Sequence, residues 1–183
     1  DAPSRFWDAA YVKRAAADLS AFLWQRVETL FGEMGYASDE IRSVRQGGLL
    51  HLPRTALRIA AVHALRPDPD FEAIASAFKR ASNILKQAKV QADGTAEPQA
   101  GLFAVEAERM LWDLLRITES DARDKARAER FEDALRELVG LKPAVDKFFD
   151  DVMVMDQDAG VRANRLALLS RLVHVCTFVA ALS

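Results

Sequence analysis

Residues 158–182 read DAGVRANRLALLSRLVHVCTFVAAL, and the fold turns on this stretch. Val161, Leu166, Leu168, Leu169, Leu172, Val173, Val175, Phe178, Val179 and Leu182 are apolar, and they fall on most faces of a helix with 3.6 residues per turn. A helix that is apolar nearly all round has no side to give to water, so it belongs at the centre of a domain. The stretch predicts a buried last helix from about Asp158 to Leu182 and, around it, an all-α bundle.

Working outward from that helix, Pro143 opens another at about Pro143–Met155. Two more are expected near Ala100–Thr118 and Asp121–Val139, separated at Glu119-Ser120. Val90–Gln99 contains Gly94, Pro98 and polar residues and reads as a loop, short enough to connect two helices. Before it, Asp70 to about Lys89 carries Phe71, Ile74, Ala75, Phe78, Ile84 and Leu85 at helical spacing. A helix from Pro53 to Leu65 is ended by Arg66-Pro67-Asp68-Pro69, and a short one, Asp39–Arg45, is opened by Ser38 and broken by Gln46-Gly47-Gly48. Asp18–Gly35 has its own stripe in Leu19, Phe22, Leu23, Val27, Leu30, Phe31 and Met34. The expectation is a bundle of seven to eight helices over residues 18–183, with residues 1–17 an extension or linker from a preceding domain. No alternating strand pattern, internal repeat or low-complexity tract is present.

Half of the residues are hydrophobic and 28% are charged, as in an ordinary water-soluble domain. The chain begins at Asp1 rather than Met, which suggests a piece of something longer. No basic-then-apolar leader or membrane-length apolar run is visible, so the expected compartment is the cytoplasm. Cys176 is the single cysteine and sits in an apolar run, where it reads as a small buried hydrophobe. The net charge of −2 is unevenly spread. Residues 41–91 hold nine Lys or Arg against Asp68, Asp70 and Glu72, and the stretch from Ala159 onward holds three Arg and no acid. Such a distribution can put a positive face on an acidic body, or it can average out once helices pack.

Two segments are more specific. One is Phe78-Lys79-Arg80-Ala81-Ser82-Asn83-Ile84-Leu85-Lys86. The other is Val145-Asp146-Lys147-Phe148-Phe149-Asp150-Asp151-Val152-Met153-Val154-Met155, followed by Arg162-Ala163-Asn164-Arg165-Leu166. In order and spacing they resemble the C-terminal region of the β subunit of bacterial glycyl-tRNA synthetases, with its arginyl-synthetase-like (DALR) anticodon-binding domain. The resemblance runs over roughly residues 18–183 and departs at the end, where Ala181 stands in place of the family's acid. It implies an α2β2 ligase that attaches glycine to its tRNA with ATP and Mg. The partners it implies are glycine tRNA, the α subunit and the rest of the β subunit. This stretch would grip the anticodon region, with no catalytic centre or cofactor of its own.

Candidate contacts follow from chemistry as well. Lys79, Arg80, Asn83 and Lys86 are spaced to share a helix face or its flank, and can offer cations to phosphates and an amide to a base edge or ribose. Alternatively the cations are simply solvated and Asn83 caps a backbone group. Arg162 and Arg165 stand on the apolar last helix. They can stack on an unpaired base, or pair with Asp150, Asp151 or Asp156 just upstream. Arg54 and Arg58, with His51 before them, form an i,i+4 pair that serves as a phosphate ridge or as a solvated face. The run Phe148-Phe149 with Val152–Met155 reads as core first and as a partner surface second. For catalysis nothing assembles: His51, His63 and His174 lie far apart, and no Gly-rich phosphate loop or nucleophile elbow occurs.

Overall fold

The computed structural model describes residues 8–45 and 52–180. Among them are eight α-helices, no strand, and a 3-10 turn at Ala100–Leu102. The helices are α1 (Ala9–Glu33), α2 (Ser38–Ser43), α3 (Leu52–Leu65), α4 (Pro69–Ala88), α5 (Glu106–Arg127), α6 (Phe131–Val139), α7 (Lys142–Asp151) and α8 (Ala159–Ala180).

The last helix is central, as its composition predicts. α8 packs against α4, α5 and α6. Leu168, Leu169, Leu172 and Val175 have no exposed surface, and Cys176 is buried with them. Burial alone pushes the Cys176 thiol well above its ordinary pKa, so it behaves as a small apolar group. The polar residues of α8 hold the loop that precedes α5. The Asn164 side chain accepts from the backbone N of Gln99 at 2.6 Å and donates to its carbonyl at 3.1 Å. The Ser170 hydroxyl accepts from Gly94 N and donates to the Gln91 carbonyl, while Arg171 donates to the Gly94 carbonyl. Gly94 has φ +65°, and a Cβ there would sit 2.8 Å from the His174 ring. Glycine is required at that position by both backbone and space.

Local signals explain the helix ends. The Asp68 side chain accepts from Asp70 N at 2.9 Å with Pro69 in the first turn, so α4 starts there. It stops at Lys89, which takes the left-handed conformation while Val90 N donates back to the Leu85 carbonyl. α5 is opened by its own third residue: Glu108 Oε2 accepts from both Ala104 N and Val105 N at 2.7 Å.

Four boundaries differ from those predicted. The expected break at Glu119-Ser120 is absent, and α5 runs through it. Neither Gly nor Pro stands there, and Leu111, Leu115, Thr118, Ala122 and Ala126 continue one buried stripe. The chain turns instead at Glu129, with φ +61°, before the short α6. Residues 100–105 are not the start of a long helix, because Asn164 holds Gln99 in place and the capping carboxylate of Glu108 sets the first turn later. α7 ends at Asp151 rather than Met155. Finally α1 starts at Ala9, capped by Asp8, so residues 9–17 continue unbroken into the helix expected from residue 18.

α1 is the least enclosed element. It packs on α2, and only Trp24, Val27 and Phe31 are buried. Leu19, Phe22, Leu23, Leu30 and Met34, apolar in the predicted stripe, are exposed. A short ring stack ties its end to α3: Phe31 meets Tyr36 at 5.7 Å between centroids, and Tyr36 meets His63 at 5.2 Å.

Candidate nucleic-acid interface

The buried side of α4 is Phe71, Ile74, Phe78, Ala81 and Leu85, a step of three or four residues that leaves the opposite side to solvent. On that open side Lys79, Arg80, Asn83 and Lys86 are all exposed, continued by Lys89 at the C-terminal cap. The four predicted α4 residues are thus brought together. Among the described residues no carboxylate pairs with Lys79, Arg80, Lys86 or Lys89. Several other cations are paired, although Lys13, Arg14, Arg26, Arg42, Arg45, Arg58, Arg116 and Arg162 also meet no carboxylate among the described residues. Lys125 pairs with Glu137, Arg130 with Asp133, Arg136 with Glu132, Lys142 with Asp146 and Lys147 with Asp151. On a chain of net charge −2, unpaired cations in a row give α4 a locally positive edge.

Arg80 is held by an aromatic ring. Its guanidinium carbon lies 4.3 Å from the centroid of Phe149 on α7, the shortest cation–ring contact among the described residues. Phe149 is half-buried and in turn meets Phe148 edge-on at 5.5 Å.

The remaining predicted residues are placed otherwise. Arg165 is a correction: it is 4% exposed, and an interior side chain cannot reach a nucleic acid. Its Nε donates to Glu108 Oε1 at 2.7 Å, and its Nη1 donates to Asp156 Oδ2 at 2.7 Å and to the Met153 carbonyl at 2.9 Å. Of the three upstream acids, Asp156 is the one it meets. Asp156 sits below the usual carboxylate pKa, chiefly through a hydrogen bond from Asp158 N and also through Arg165. Arg162 is half-buried, and its Nη1 donates to the Asp156 carbonyl at 2.6 Å. It clasps the turn before α8 and leaves only part of its surface to solvent.

Arg54 and Arg58 are on α3, which packs against α6 and α2, while α4 packs against α8, α7 and α6. Both lie over Phe131, at 5.7 and 4.9 Å. Arg54 Nη2 donates to the Ala126 carbonyl at 3.2 Å and its Nε lies 3.3 Å from Glu129, so Arg54 clamps the turn between α5 and α6. Burial, and then the neighbouring Arg54, hold the Arg58 pKa below its ordinary value. These two form a packed pair, half out of water, rather than an open ridge. His51 lies outside the described residues.

The sequence reading missed the form of residues 152–155. Val152 and Val154 are buried, whereas Met153 and Met155 are 76% and 54% exposed. The segment leaves α7 extended at Val152 and bends at Val154 and Met155, and burial alternates along it. The period-two order Val-Met-Val-Met was the signal for this. The Arg165 bond to the Met153 carbonyl fixes the segment from within.

No described helix is long and apolar enough to cross a membrane, and no group of three metal-ligating side chains occurs among the described residues. The described residues form a helical bundle with an exposed basic edge on α4. Residues 74–177, more than half of the chain, match the model of the DALR anticodon binding domain, and the chain belongs to that family. Its relatives are more particular still. The chain is 36% identical over 182 residues to the glycine–tRNA ligase beta subunit of Ralstonia nicotianae, covering 100% of this chain and 26% of that one. It is 39% identical over 153 residues to the beta subunit of Desulfatibacillum aliphaticivorans (82% and 21%), and 37% identical over 177 to that of Geobacter metallireducens (94% and 25%). The chain therefore spans about a quarter of the length of the curated relatives it matches.

Proposed function

We propose that this chain is the anticodon-binding part of a glycine–tRNA ligase β subunit and that it binds glycine tRNA. On this reading it positions the anticodon stem-loop while glycine is activated with ATP and Mg elsewhere in an α2β2 enzyme of the cytoplasm. The family and the relatives support the reading, and one observation carries it: the row Lys79, Arg80, Asn83, Lys86 and Lys89, exposed and without acid partners. Phosphate contact is what such a row offers, and affinity from it falls steeply with salt.

The test is fluorescence anisotropy of the chain with a glycine tRNA transcript, and with the same transcript carrying a changed anticodon, at low and moderate salt. Salt-sensitive binding that weakens on changing the anticodon is the expected result. Replacing Lys79 and Arg80 together by Ala should lower affinity and reduce the salt slope by about one for each phosphate no longer neutralised, with thermal unfolding nearly unchanged. Absence of binding at low salt would favour the second reading, a protein-interaction domain without RNA contact. That reading rests on the exposed apolar side of α1, where Leu19, Phe22, Leu23, Leu30 and Met34 face solvent.

A further inference from the structure

We infer that the exposed apolar side of α1 is a docking seam for an amphipathic helix from the remaining part of a longer β-subunit polypeptide, a helix that carries a carboxylate opposite Arg26. The inference rests on the β-subunit half of the reading above and stands whether or not α4 grips RNA.

The seam lies on a helix that outruns its own bundle. Every residue from Asp8 to Leu23 is exposed, and burial begins only at Trp24. A helical stretch of about fifteen residues is marginal in water by itself, so this one needs a cover. Val12, Leu19, Leu23, Arg26 and Leu30 follow one another at steps of seven, four, three and four residues, the spacing of a coiled-coil seam. The four aliphatic side chains in that row are all exposed. The row lies roughly a quarter of a turn around the helix from the buried side of Trp24, Val27 and Phe31, so it is left over once α1 has docked on α2. Toward its C-terminal half, Leu52 of α3 widens the row into a shallow groove with Leu23, Val27 and Leu30.

The occupant follows from where α1 stands among the relatives. The domain match begins at residue 74, inside α4, so α1 lies outside the matched anticodon-binding body. Alignment with the beta subunit of Ralstonia nicotianae spans the whole chain, α1 included, yet only 26% of that subunit. About three quarters of such a polypeptide therefore remains to supply the covering helix. A second copy of this chain fits the chemistry less well. Arg26 interrupts the apolar row, its guanidinium carbon 5.3 Å from the Phe22 ring centroid. In a parallel pair of copies Arg26 would face Arg26, and in an antiparallel pair that matches Leu19 to Leu23 it would face Ala16. Neither supplies the acid that a cation needs on being buried. A polyanion finds no attraction either, because α1 carries three basic and three acidic residues, and aliphatic side chains give bases no stacking face.

The test is hydrogen exchange, read by mass spectrometry, on the full-length subunit that contains this chain and on the chain alone. Amides of residues 9–23 are expected to exchange about a hundredfold more slowly in the full-length subunit, with α4 and α8 equally protected in both as the check on folding. In the full-length subunit Leu19→Asp with Leu23→Asp should return those amides to their rate in the chain alone. Arg26→Glu should do the same, while Arg26→Lys keeps the protection. These side chains are exposed, so the bundle itself is expected to hold. Unprotected α1 amides in the full-length subunit would overturn the inference. So would protection in the chain alone that rises with its concentration, the mark of a second copy, or protection that arrives only with added tRNA or α subunit. Each of those outcomes leaves tRNA binding by α4, measured separately by anisotropy, where it stood. If the gene encodes no polypeptide beyond this chain, the β-subunit reading falls and this inference falls with it.

Discussion

Arg165→Met is a perturbation whose outcome separates a structural arginine from an RNA contact. In the folded protein Arg165 and Glu108 are 4% and 0% exposed and are joined at 2.7 Å. Removing the arginine leaves the Glu108 carboxylate in the interior with only the Ala104 and Val105 backbone donors on its other oxygen. Breaking a buried ion pair from one side costs about 3–5 kcal/mol, mostly as the penalty of the stranded charge. Loss of the bond to the Met153 carbonyl adds about 1 kcal/mol. With a urea dependence of about 2 kcal/mol per molar, the midpoint should fall by about 2–3 M. The assay is urea unfolding followed by circular dichroism. A second variant, Glu108→Gln with Arg165→Met, removes both charges while the Gln side-chain carbonyl still accepts from Ala104 or Val105. It should recover most of the loss, because a buried pair is worth little against a neutral replacement of similar volume. Under conditions where Arg165→Met remains folded, its salt slope for tRNA binding should equal that of the unaltered chain. A midpoint shift below 0.5 M (roughly 1 kcal/mol by the same relation), or a reduced salt slope in the folded variant, would refute the reasoning.

Two further outcomes follow from the loop that α8 holds. Gly94→Ala places a methyl group 2.8 Å from the His174 ring at a φ of +65°, so it should destabilise the protein by about 2 kcal/mol or more; thermal unfolding measures this, and an unchanged midpoint would contradict the close packing of that loop. His174 is half-buried, and burial first, then Arg123 and Arg171, hold its pKa below the ordinary 6.5, while Glu119 and Asp93 pull the other way. The unfolded chain therefore takes up the proton first as pH falls, and stability declines from about that ordinary value downward. His174→Gln should flatten stability between about pH 7 and 5 without touching the separate loss below about pH 4, where the depressed carboxyls of Asp39, Glu40 and Asp156 protonate. An identical slope in the variant would remove His174 as its source.

By itself the sequence determined the class of fold, the central place of α8 and the open face of α4. Each follows from periodicity, which reports the sides of a single helix: most sides apolar in α8, and one apolar side opposite Lys79, Asn83 and Lys86 in α4. The start of α4 near Asp70, just after the Arg66–Pro69 break, was legible for the same reason, since breaks and caps act over three or four residues. Tertiary structure alone decided which cations remain unpaired. Arg165 and Lys79 look alike in sequence, yet one meets Glu108 across 57 residues and the other meets no acid among the described residues. It also decided that Glu119 lies inside a continuous α5, bonded to Arg171 of α8, and that Met153 and Met155 face outward because Arg165 pins the backbone between them and the core. The physical reason is common to all of these. Periodicity and caps are local, whereas the partner of a charge and the side that a connecting residue turns to solvent depend on which distant helix is packed against it.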